Sequence, residues 1–262
     1  MTALTAICSL LLGLAYFWLG TIVFFELRDG RHTRGLSPFG VAFMLMAFTC
    51  GPHHLIHFEH AISGTAPTDT LTAVSLLMGL PAGLLFVALR VEALRGGRGD
   101  RVITGTPGWL ALLPVVGLLA AGVVITLAIQ GAVERGGLAW QGLPSIALAL
   151  AFTVVGGYLV RAQVARGGTA GWSLSGLALA AIFPTCALMH LTLGLSTPDA
   201  HLFAMDLLGV PAALAFLWVV NRLYHAGLHD WNSRPLAGRA QPTSRRSPWL
   251  VEPGEEPLPS GG

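Results

Sequence analysis

Seven apolar runs follow one another along the chain, at about residues 4–26, 38–61, 69–94, 108–130, 143–164, 172–195 and 201–224. Each is long enough to cross roughly 30 Å of hydrocarbon at ~1.5 Å per residue. The joining stretches are short and rich in Gly, Pro and Arg, which leaves no room for a soluble domain between them. Inside a bilayer every backbone amide and carbonyl must find a partner within the chain, so such runs have to be helices. A mean hydropathy of +0.67 and a charged fraction of 11% fit the same class. The expected fold is all-α: a polytopic membrane protein with seven transmembrane helices in residues 1–229, embedded in the lipid bilayer. The first run lacks a basic flank and is too long for a signal sequence, so it reads as a retained helix.

The basic residues are all Arg, and the absence of Lys excludes a retinal Schiff base, the first idea seven helices invite. Arg28, Arg31 and Arg34 fall in the first connection, Arg95, Arg98 and Arg101 in the third, Arg161 and Arg166 in the fifth, and Arg234, Arg239, Arg245 and Arg246 in the tail. Only Arg135 lies in an even-numbered connection. Arginine accumulates on the cytoplasmic side of membrane proteins. The N-terminus is therefore expected outside the cell membrane and the C-terminus inside, with residues 230–262 as a disordered cytoplasmic tail.

The chain also repeats itself. A shift of 136 residues pairs Gly20 with Gly156, Ser37 with Ser173, Gly40 with Gly176, Thr49 with Thr185, Cys50 with Cys186, His54 with His190 and Leu55 with Leu191. A shift of 130 pairs GLPAGLLF (79–86) with GVPAALAF (209–216). Helices 1 to 3 thus match helices 5 to 7, with repeat 1 at about 4–94, repeat 2 at about 143–224 and a linker helix at 108–130 between them. Helices 1 and 5 point the same way, so the expectation is a parallel 3+1+3 repeat about an axis along the membrane normal.

Chemistry concentrates in residues 46–60, MAFTCGPHHLIHFEH. On a helix Met46, Cys50, His53, His54, His57 and His60 fall within about 120° of one face. Ionisable groups at membrane depth are costly and mark function by default, and imidazole, thiolate and thioether together suit copper or zinc. The second half answers with TCALMHL at 185–191, where Met189 stands in the place of His53. The expected metal ligands are His54, His190, Cys50, Cys186, His57, His53 and Met189, not all at once, with His54 and His190 foremost. Asp206 is the expected carboxylate that orients an imidazole from behind. Copper is the expected metal, with zinc as an alternative. Haem b between His54 and His190 is a second alternative, giving an electron-transfer subunit. Glu59 falls opposite the histidine arc, and His225 and His229 lie at the cytoplasmic end. The matched Pro81 and Pro211 would also suit a small-solute or metal transporter. Ordinary packing of Cys and helix-kinking Pro accounts for either half taken alone.

The run FGVAFMLMAFTCGPHHLIHF followed by LTAVSLLMGLPAGLLFVALR, and Met189-His190-Leu191-Thr192 in the second half, resemble the MHYT-type integral membrane sensor domain. That resemblance implies a metal, copper foremost, near the outer membrane face, held by Met189 and His190 with His53 and His54 at the matching place, and a role in sensing diatomic gases. The chain departs from the pattern in having no His in helix 4 and in adding Cys50 and Cys186. A sensor of this kind would act on a separate signalling or redox partner protein. Nothing in the sequence points to nucleic acid.

Overall fold

The computed structural model describes residues 2–65, 70–196 and 200–225. The expected tail at 230–262 and His229 lie outside the described residues. Seven helices dominate: α1 (Thr2–Arg34), α2 (Pro38–Ser63), α3 (Thr70–Leu94), α4 (Gly108–Glu134), α5 (Leu143–Gly167), α6 (Leu174–Ser196) and α7 (Ala200–His225). Each contains a stretch long and apolar enough to cross a membrane. The first helix runs further than its apolar segment and carries Arg28, Arg31 and Arg34, placed by sequence in a connection, on its last two turns.

Local chemistry sets several of the boundaries. Ser37 has extended backbone angles and its hydroxyl accepts the amide of Gly40 at 3.2 Å, while Pro38 opens α2 with a preset φ. Gly64 closes α2 in the left-handed region at φ 68°, its amide donating to the His60 carbonyl at 3.0 Å. Between α3 and α4 the strand β1 (Val102–Ile103) pairs antiparallel with β2 (Trp172–Ser173), which precedes α6. Hydropathy gives no sign of this two-residue ladder. Asp100 ties it to α6, accepting the Ser173 hydroxyl at 2.7 Å and the Ser175 amide at 2.9 Å. Replacing Asp100 by Ala is expected to lower stability by about 1–2 kcal/mol, the effect of a lost cap. Thermal unfolding in detergent would show it, with the far end of the bundle unaffected.

Helix α1 packs against α2 and α3, α2 against α7, α7 against α5, α5 against α6, and α6 against α3. These neighbours close a ring in the order α1, α2, α7, α5, α6, α3. Helix α4 stands outside it, mainly against α6, with only 11% of its apolar window buried. The α1–α2 contact is close because Gly51 faces bare backbone: a Cβ there would lie 3.1 Å from the Phe17 nitrogen and 3.3 Å from the Gly13 oxygen.

Aromatic side chains from the ring helices fill the middle of the bundle. Phe216 of α7 stacks on Phe183 of α6 at 5.4 Å and meets Phe39 and Phe43 of α2 at 5.3 and 6.0 Å. Phe43 in turn meets Phe86 of α3, and Phe183 meets Phe152 of α5. Toward the arginine-bearing end, Arg90 of α3 lies buried 3.8 Å from Glu26 of α1. At the other end of the ring lie the histidines.

Candidate metal centre

Three helices bring one carboxylate and two imidazoles together at the histidine end. His53 projects from α2 one residue after Pro52, His190 from the last third of α6, and Asp206 from the second turn of α7. All three are about 2% exposed. One donor atom from each can be chosen so that all three atoms lie within 4.8 Å of one another. Asp206 Oδ1 is 2.8 Å from His53 Nδ1 and 3.5 Å from His190 Nδ1. Its other oxygen accepts a short hydrogen bond from the Ser145 hydroxyl at the start of α5.

The contacts around Oδ1 are at ion-pair distance but poorly aligned for hydrogen bonds. His53 Nδ1 and Nε2, His190 Nδ1 and Asp206 Oδ1 are all buried and lack a correctly aligned partner. A buried polar group without a partner costs about 1–3 kcal/mol, and the approach of Asp206 Oδ1 to His53 Nδ1 at 2.8 Å offsets only part of that cost here. Protons do not relieve all of these atoms, since a neutral imidazole has one donor and one acceptor nitrogen. A cation at the point where the three residues converge would satisfy Asp206 Oδ1 and one nitrogen of each imidazole, leaving the second His53 nitrogen to another partner. Donor atoms around a tetrahedral ion with bonds of about 2.0–2.1 Å are about 3.3 Å apart, and the observed 2.8 and 3.5 Å bracket that spacing.

The other candidates surround this triad in different ways. His57 lies one turn along α2 from His53, with ring centroids 4.9 Å apart, and its Nε2 is buried without a partner. His54 is on the other edge of the α2 arc, 5.5 Å from the Tyr16 ring of α1 and 5.8 Å from His53. His190 sits 4.7 Å from His53 and 5.6 Å from Phe152. Cys50 lines a small cleft together with His53, His190 and Asp206. Cys186 lies beyond it, 3.6 Å from the Tyr16 hydroxyl, in an apolar cavity that Cys50 also borders. Met189 is packed in the hydrophobic core. Glu59 is exposed, and His225 is at the far end of α7 against Tyr158 and Tyr224.

Two features escape a reading of the sequence. Asp206 converges with both histidines closely enough to hold an ion itself, a role beyond the orienting one expected of it, with which its 2.8 Å approach to His53 Nδ1 also agrees. Ser145, which fixes that carboxylate, carries no motif; the one available signal is that the 136-residue shift pairs it with Ser9, which is also fully buried.

The class these features define is a membrane-embedded seven-helix protein with a buried polar cluster at one end of its helix ring. No family model, curated protein or solved structure matches the chain.

Proposed function

We propose that this protein binds one transition-metal ion through His53, His190 and Asp206, and that it serves in metal sensing or metal handling. The convergence of three buried donor atoms that lack hydrogen-bond partners carries the reading. A carboxylate at this depth needs a compensating charge, and two imidazoles with one carboxylate form a site for a divalent first-row ion that leaves further positions open. Among such ions Cu²⁺ binds a given nitrogen and oxygen set most tightly. Cys50, on the same cleft, offers a softer donor if the ion is reduced. When bound, the ion supplies an open coordination position for a small ligand. The chain's own residues hold it in place, with Ser145 fixing the Asp206 carboxylate.

The site joins His190 and Asp206 of the second half to His53 of the first, in a fold that reads as a duplication. Contacts that map onto each other under the 136- and 130-residue shifts support the duplication. Tyr16 meets His54 at 5.5 Å as Phe152 meets His190 at 5.6 Å. Ser37 caps Gly40 as Ser173 caps Gly176. A Cβ on Gly79 would lie 3.5 Å from Thr185 Cβ, and one on Gly209 would lie 3.9 Å from Thr49 Cβ. The ring of neighbours is also unchanged when α1–α3 and α5–α7 exchange places. With the arginine-rich connections inside the cell, the metal lies near the outer face of the cell membrane, where the resemblance to MHYT-type sensors also puts it.

Metal analysis of purified protein tests the reading. Stoichiometric copper in the wild type, lost when His53 and His190 are both replaced by Ala, is the expected result. A wild type that stays metal-free after exposure to Cu²⁺ and Zn²⁺ overturns it, and a Soret band in protein made with haem available replaces it with haem binding.

A further inference from the structure

The triad is deeply buried, with His53, His190 and Asp206 each about 2% exposed. An ion that exchanges with the medium needs a route, and hydrocarbon offers no ligand on the way. Three further histidines at this end of the bundle are placed along one. His201, on the first turn of α7, is exposed, and its ring is 5.8 Å from that of His60 near the end of α2. His60 and His57 are three residues apart on α2, which puts their side chains on neighbouring turns of one face, about 5–6 Å between Cβ atoms. His57 and His53 are 4.9 Å apart, and His53 meets Asp206 at 2.8 Å.

His57 is the informative member. It is 7% exposed, its Nε2 is buried without a partner, and its place one turn outward from the triad leaves that nitrogen without a structural task. Desolvating an imidazole nitrogen for no bond is unfavourable. Two imidazoles that share one ion through facing nitrogens have those atoms about 4 Å apart, a spacing that rings 4.9 to 5.8 Å apart reach by small rotations.

We propose that His201, His60 and His57 form a relay that carries the cation between the histidine end of the bundle and the His53–His190–Asp206 site. The proposal rests on the metal reading and adds the route by which that site is filled and emptied. Each step is ligand exchange: one nitrogen lone pair replaces another on the ion, which keeps its charge, and no electron is transferred. Because the relay residues bind the ion only in transit, they set rates and leave the final affinity alone.

Cu²⁺ uptake by metal-free full-length protein in detergent, followed by stopped-flow absorption, separates the two. His57→Leu is expected to slow uptake and release together by about tenfold or more, with stoichiometry and Kd close to wild type, as befits a residue on the path and outside the site. His201→Gln, at an exposed position tolerant of change, is expected to slow uptake in the same sense. Unchanged rates in both variants overturn the relay while leaving the site standing. Loss of stoichiometric binding in His57→Leu that retains the wild-type melting profile also overturns it, by making His57 a ligand. A wild type that binds no copper fails at the earlier reading and is distinguished from both.

Discussion

Asp206→Asn is expected to abolish stoichiometric metal binding while leaving the metal-free protein close to wild type in stability. The amide keeps the size of the carboxylate and can still accept the Ser145 hydroxyl, so packing at the α5–α7 contact is retained. What it loses is the charge and the free oxygen that approaches His53 at 2.8 Å and His190 at 3.5 Å. Even partners outside the ligand set change metal affinity by about 10–100-fold, and a ligand should exceed that. The cleanest readout is melting with and without copper. At an ion concentration one hundred times Kd, a bound ligand stabilises the folded state by about 2.7 kcal/mol. The wild type should show this rise, and Asp206→Asn should show none. An equal rise in both proteins would remove Asp206 from the site.

The largest stability effect is expected away from the histidines, in Gly142→Ala. Gly142 ends the single 3₁₀ turn before α5, and its backbone angles are ordinary, φ −79° and ψ −12°, so conformation does not demand glycine there. Space does, because a Cβ would overlap the carbonyl oxygen of Gly194 in α6, which is backbone and cannot rotate away. The strain of such overpacking is about 1–3 kcal/mol or more. It falls where α5 and α6 meet, between Ser145 and His190, so metal binding should weaken along with stability. Gly157→Ala is the control: nothing lies within 4 Å of its added carbon, and removing a mid-helix glycine should stabilise by about 0.5–1 kcal/mol. Comparable melting of the two variants would show that α5 and α6 do not approach as described.

Hydropathy places six of the seven helices to within four residues, because a bilayer-length apolar run has one physical solution, but it misses the last eight residues of α1, which are mostly polar and continue the helix to Arg34. The arc of histidines on α2 was legible for the same kind of reason, a fixed angle per residue. Which edge of that arc meets the second half was not. His53 and His54 differ by one residue and about 100°, and the choice depends on α2 packing against α7, a relation that helix periodicity does not contain. The sequence pairs His54 with His190 through their motifs. In the fold His53 is the residue that meets His190 and Asp206, and His54 turns to Tyr16. Asp206 was visible as a rare acid in an apolar run, yet its rank among the donors emerges only once α2, α6 and α7 are set side by side. The strand pair at 102–103 and 172–173 had no signal, since two residues are too few to show an alternation.

The layer of phenylalanines across the middle of the ring decides how many sides this protein has. Phe39, Phe43, Phe86, Phe152, Phe183 and Phe216 meet ring to ring at about 5–6 Å, so past Cys50, Cys186 and Tyr16 this layer offers a cation no ligand. The histidine end is a blind well. On the proposed reading, that floor would make a bound ion answerable to a single compartment: the metal level on the far side of the membrane would have no voice in its occupancy, and onward passage would first have to part the stacked Phe183 and Phe216.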